Sequence, residues 1–179
     1  MQPISDHEAL RHLFAGLVEQ SFCSEVGMCD PALTTYLVDL LVEFVHIDRL
    51  NAVRHAQGKR LDQIATMLAI ACDDRPASRN ERDRTMYRHI GDYTLFWAGL
   101  FPEQIRRARR QRTDVLLDYV SQGKKSYAIV SELAGEDDEP PASLFRNLSD
   151  DFEYCLYGLG LVREGWRRGD DDAGSDLIV

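Results

Sequence analysis

From residue 31 to residue 47 the chain reads PALTTYLVDLLVEFVHI, with apolar side chains at Leu33, Tyr36, Leu37, Leu40, Leu41, Phe44, Val45 and Ile47. Residues three and four apart share one face of an α-helix, so this spacing predicts a helix, and one that is apolar around most of its circumference. A helix of that kind is stable only inside a shell of other helices or a sheet. The rest of the sequence supplies helices. Leu10, Leu13, Phe14, Leu17 and Val18 keep the same period, as do Met86, His89, Tyr93, Phe96 and Leu100, thickened by Ile90 and Trp97. No segment alternates apolar and polar residues as a half-buried strand would, and no hairpin turn signal joins two such segments. The fold class expected is all-α, a single-domain bundle of about six or seven helices over residues 1–166, with 167–179 as a disordered acidic tail.

Local signals place the helix ends. Ser5-x-x-Glu8 and Ser78-x-x-Glu81 are capping boxes, in which the hydroxyl accepts from an orphan backbone N–H and the carboxylate reaches back to the cap. Asp30-Pro31 sets an acidic cap before a proline at the first helical position, where the missing N–H costs nothing. Leu61, Ile64, Ala65, Leu68 and Cys72 outline a short helix that Pro76 ends, and Pro102 forces a bend after the 84–100 segment. A further short helix is expected over 127–133, followed by the GEDDEPPA loop, which its acids and prolines mark as mobile. A last helix is expected from about Ser143 through Trp166, with the 31–47, 84–100 and 144–162 segments innermost.

No apolar run approaches the roughly 18 residues that a bilayer span needs, and no basic-then-apolar leader opens the chain, so the expectation is a cytoplasmic protein without membrane contact. Cys23, Cys29, Cys72 and Cys155 contain no CxxC pair, and a chain of 179 residues buries enough core to fold without disulfides. Reduced thiols are expected, and a cysteine-based zinc site is not.

Charge is unevenly spread. The formal net is -9, and 18 of the 21 cations are Arg. Ten Arg fall between residues 75 and 112 against four acids there, leaving that stretch at +6 and the remainder at -15. Such contrast suits an anionic partner or pairing within the fold.

Three groups of residues are candidates for function. Glu43 and His46 stand at i, i+3 on the most apolar helix, the spacing of carboxylate and imidazole ligands in helical di-metal sites, with Asp39 one turn earlier and Glu153 interrupting the apolar run FEYCLYGLGL. The plain alternative is that Asp39, Glu43 and His46 form the solvated side of the helix. The second group is His89, Asp92 and Tyr93 around Gly91, where a titrating imidazole, a carboxylate and a phenol could bind a small ligand or move a proton, or where Asp92 could satisfy a buried donor. The third is IRRARRQR, whose Arg106, Arg107, Arg109 and Arg110 are suited to phosphates or to an acidic protein surface. The segments LDQIATMLA and RTMYRHI resemble the two halves of a bacterial helix-turn-helix. Ala65 and Thr85 nevertheless stand 20 positions apart, and that motif joins its helices by only about three or four residues.

No phosphate-binding loop, nucleophile elbow, Walker motif or HExxH is present, so no catalytic constellation is complete. The function expected is therefore a non-enzymatic helical interaction or regulatory domain, meeting a protein partner or a second copy, with no cofactor. The alternatives are a metal- or small-ligand-binding bundle with an interior pocket of Glu43, His46, His89, Asp92 and Glu153, and a nucleic-acid-binding protein working through the Arg-rich 75–112 region.

Overall fold

A computed structural model describes residues 6–52, 79–103 and 119–175. The described chain is helical, with no strand, as the periodicity requires. In chain order the helices are α1 (Asp6–Glu19), α2 (Pro31–Ala52), α3 (Arg79–Leu100), α4 (Tyr119–Leu133), α5 (Ala142–Asp150) and α6 (Phe152–Ser175). A π-helical turn, Gln20–Val26, continues α1. Asp30 caps α2 as its sequence proposes, its Oδ1 accepting from the Ala32 N–H at 2.9 Å. The helix expected over residues 61–72 and the segment after Pro102 lie outside the described residues, apart from the short stretch through Glu103.

One hydrophobic core joins all six helices. Helix α3 packs on α4, α2 and α6, and α6 also runs beside α1, the π turn, α4 and α5. Its Phe152, Cys155, Leu159 and Val162 are fully buried. Helix α2 buries every apolar position from Leu33 to Val45 that its sequence marks, leaving Asp39, Glu43 and His46 on one exposed strip.

Several expectations need correction. The helix expected from Ser143 to Trp166 breaks at Asp151 into α5 and α6, and the new helix is tied on by the Cys155 N–H donating to the Asp151 carbonyl. Leu13, expected in the core, is 46% exposed, because α1 turns Phe14 and Val18 inward instead. The tail expected to be disordered from residue 167 is helical through Ser175. Trp166 packs edge-on against Phe14, with ring centroids 5.1 Å apart, and an anchored helix extends at the small cost of one residue per added hydrogen bond. The GEDDEPPA loop, expected to be mobile, is fastened: Asp138 accepts from the Gly135 N–H at 2.6 Å and pairs with Arg84 at 2.6 Å.

The cysteine expectation also fails. Cys23 and Cys29 form a disulfide, with Cα atoms 4.4 Å apart. The cause is local: the chain reverses at Gly27, which adopts φ +80°, a left-handed conformation open to glycine, and folds residue 29 back onto the π turn. Buried Cys155 stays a free thiol, and burial pushes its pKa up to about 12, which leaves it an inert packing group.

Candidate functional site

The most concentrated polar chemistry among the described residues is centred on Asp92. It sits on α3 beside Gly91, and its side chain is only 14% exposed. The Tyr36 hydroxyl of α2 donates to Asp92 Oδ1 at 2.5 Å, and the Tyr127 hydroxyl of α4 donates to the same oxygen at 2.8 Å. Arg88, one turn back on α3, donates from Nε to the Tyr36 oxygen at 3.2 Å and holds that nitrogen 3.7 Å from Asp92 Oδ2. Its guanidinium lies over the rings of Tyr36 and of Phe145 on α5, 5.2 and 5.8 Å from their centroids. Three helices thus converge on one carboxyl group, and a fourth, α5, packs Phe145 against the Arg88 beside it.

Gly91 makes the convergence possible. A Cβ at that position would lie 2.7 Å from the Tyr127 ring, so the ring can cross the α3 backbone to reach Asp92 only over a glycine.

Electrostatics in the cluster oppose one another. Burial raises the Asp92 pKa, whereas the two phenol hydrogen bonds and Arg88 lower it, and burial prevails at about 6. Glu43, the carboxylate expected at a metal site, adds a small push in the same upward direction. Tyr36 and Tyr127 are held well above the usual phenol range, first by burial and then by the adjacent Asp92, so they remain donors at any physiological pH. No buried side-chain nitrogen or oxygen among the described residues lacks a hydrogen-bond partner. The cluster is a closed polar knot that ties α2, α3 and α4 together.

The triad expected around Gly91 is therefore divided between two environments. Asp92 satisfies buried donors, the simpler of its two readings. His89 instead stacks on Phe44, with centroids 6.0 Å apart and planes 22° apart, and Tyr93 meets Phe44 edge-on at 6.2 Å. Tyr36, Tyr127 and Arg88 are the members that sequence reasoning missed, since Tyr36 and Tyr127 read as ordinary helical core positions and Arg88 as one charge among many.

The interior pocket of Glu43, His46, His89, Asp92 and Glu153 is not assembled. Glu43 and His46 are exposed on α2, His46 lying edge-on to His7 at 6.5 Å. Glu153 is exposed on α6, where Lys124 of α4 donates to its two oxygens at 2.9 and 3.0 Å. Among the described residues no group of three or more His, Cys, Asp or Glu side chains is arranged to hold a metal ion.

Arg106, Arg107, Arg109 and Arg110 lie outside the described residues. Two described arginines of the same stretch, Arg84 and Arg88, engage groups of the chain itself. No helix among the described residues is long and apolar enough to cross a membrane.

A second feature lies on α6. Tyr154 and Tyr157, one turn apart, are 63% and 59% exposed, although the opposite side of the helix is fully buried. No family model matches the chain, and neither does any curated protein or solved structure.

Proposed function

We propose that the protein is a non-enzymatic helical interaction module that docks a protein partner on the outer face of α6. The observation that carries this reading is the exposure of Tyr154 and Tyr157 on a helix otherwise anchored in the core. Exposed phenols on a rigid support supply large contact area at small entropic cost, since each has few rotamers to lose, and they retain a polar tip for the wet rim of an interface. The neighbouring charges Glu153, Glu164 and Arg168 provide such a rim. The Asp92 cluster supports the same reading by contrast, because its hydrogen bonds are already spent on holding helices together.

A photoreactive phenylalanine analogue placed at Tyr157 in the full chain, expressed in its native cells, tests the proposal. The expected result is an adduct of defined mass that the same group at exposed Glu43 of α2 does not give. Equal or absent labelling at the two positions would remove the reading.

A further inference from the structure

The Cys23–Cys29 bond is badly placed for a staple. A disulfide stabilises a fold largely by constraining the unfolded chain, and the gain grows with the length of the loop it closes. This one joins residues only six positions apart, both within the connection from α1 to α2, and it ties together no two of the helices that share the core. Its half-cystines are also unequally placed. Cys29 is exposed and Cys23, inside the π turn, is half-buried. Exchange with an outside thiol needs access to one sulfur, and exposed disulfides are the labile ones.

What the bond closes is a clasp on Phe22. The Gly27 and Met28 N–H groups both donate to the Phe22 carbonyl, Met28 at 2.8 Å, so the loop folds back over the residue that precedes Cys23. The Phe22 ring is fully buried and lies where a Cβ on Gly158 of α6 would be. Within seven residues the chain therefore runs from a core contact to a solvent-facing half-cystine. The clasp is built on a π-helical turn, a rare conformation that is frequent at functional sites.

From the short loop, the exposed Cys29 and the clasp on Phe22 we infer that Cys23–Cys29 is a reversible redox site, exchanging with low-molecular-mass thiols and switching the α1–α2 connection between a closed and an open form. The thiolate of such a thiol attacks Cys29 Sγ, forming a mixed disulfide there and expelling Cys23 as a thiolate, which takes a proton from water. A second small thiolate attacks the small-molecule sulfur of that mixed disulfide, forming the small-molecule disulfide and releasing Cys29, which is protonated in turn. Two thiols are thus oxidised to one disulfide, and the protein bond takes up two electrons and two protons. The small-molecule disulfide runs the same steps backwards. Reduction frees residues 24–29 while Phe22 keeps its place in the core. The site is independent of the docking face proposed on α6.

Glutathione, reduced and oxidised in varied ratio, is the probe, applied to the folded full chain and read by maleimide labelling with peptide mass analysis. Cys23 and Cys29 are expected to be blocked in the oxidised protein and labelled together in the reduced one, reversibly and with the helical circular dichroism unchanged. Amide exchange over residues 24–29 is expected to rise about tenfold or more on reduction, with that of 152–162 unaltered. Cys23→Ser is expected to capture glutathione at Cys29 about tenfold faster or more than Cys29→Ser captures it at Cys23. A bond absent from the oxidised protein, or one that glutathione does not open unless the helical signal is lost, would overturn the inference. So would exchange over 24–29 that ignores reduction, or equal capture by the two variants. The labelling and exchange measurements use the wild-type chain, so they decide the matter even if a serine variant fails to fold.

Discussion

Asp92 shows how a single carboxyl group can organise a helical interior and make its stability depend on pH. An unfolded chain would titrate Asp92 near the ordinary value of about 4, whereas burial in the knot raises it to about 6. Between those values the folded state keeps a proton that the unfolded state releases. The contribution of Asp92 to stability is therefore fully present below about pH 4 and is lost as pH rises through 6, by up to roughly 3 kcal/mol for a shift of about two units. Glu103, Asp138 and Glu153, held below the usual range by hydrogen bonds from Arg163, the Gly135 N–H and Lys124, act in the opposite direction, losing stability as pH falls. Asp92→Asn separates the two effects, because the amide oxygen still accepts from Tyr36 and Tyr127 but cannot ionise. Urea denaturation at pH 4, 5, 6 and 7 should give variant and wild type similar stability at pH 4, with the variant gaining steadily above it. A difference between them that stays constant across this range would refute the raised Asp92 value. The sequence could not have shown this much, since the shift comes from burial beneath helices that pack on α3 from far along the chain, whose Tyr36 and Tyr127 stand 56 and 35 residues away from Asp92.

Among the elements, α6 carries two glycines two residues apart with opposite roles. Phe22 of the π turn lies where a Gly158 Cβ would be, so Gly158→Ala must push the ring or the helix and should destabilise by about 1–3 kcal/mol. Gly160→Ala meets open space and should stabilise the isolated chain by up to about 1 kcal/mol through helix propensity. Thermal or urea unfolding at low micromolar concentration should show the two substitutions moving the midpoint in opposite directions. Shifts of the same sign would mean that the packing at Phe22 is not as described. The sequence flags both residues as unfavourable in a helix but cannot distinguish them, because the distinction lies in what another element places above each Cα. The same division runs through the other elements. Asp30-Pro31 announces the start of α2 by local chemistry alone, and the three-and-four period of α3 yields its buried Phe96 and Trp97 directly. The break at Asp151, the π turn and the Cys23–Cys29 bond were not legible in this way. Each depends on a local departure from the regular helix, such as the left-handed Gly27, that apolar periodicity does not encode. Glu43 and His46 stay outside the interior for a related reason: i, i+3 spacing places them on one face of α2 but does not say which face, and the apolar majority of the helix takes the interior.

At the scale of the molecule, what matters is whether these helices form one cooperative structure. The buried residues make a continuous cluster from Phe14 in α1 to Val162 in α6, and α6 touches α1, the π turn, α3, α4 and α5. The Asp92 knot ties α2, α3 and α4 by a second, polar route. Releasing any one of these helices would expose apolar surface on several others, at about 25 cal/mol for each Å² uncovered, so partial unfolding has no inexpensive first step. A chain of 179 residues is longer than most domains that unfold in two states, which makes the matter worth measuring. The two tryptophans are well placed as reporters: Trp97 is buried on α3 among Phe96, Phe101 and Tyr93, and Trp166 lies at the far end of α6 against Phe14. Trp166→Phe leaves Trp97 as the only indole and keeps an aromatic edge against Phe14, and Trp97→Phe does the converse. If the cluster is one cooperative unit, each single-tryptophan protein should lose its fluorescence signal and its helical circular dichroism at the same denaturant concentration. Midpoints that separate within one protein, with Trp166 leading the helix signal or Trp97 lagging behind it, would instead show that α1 and the end of α6 unfold before the α2–α3–α4 knot, and the polar route would then be the stronger of the two.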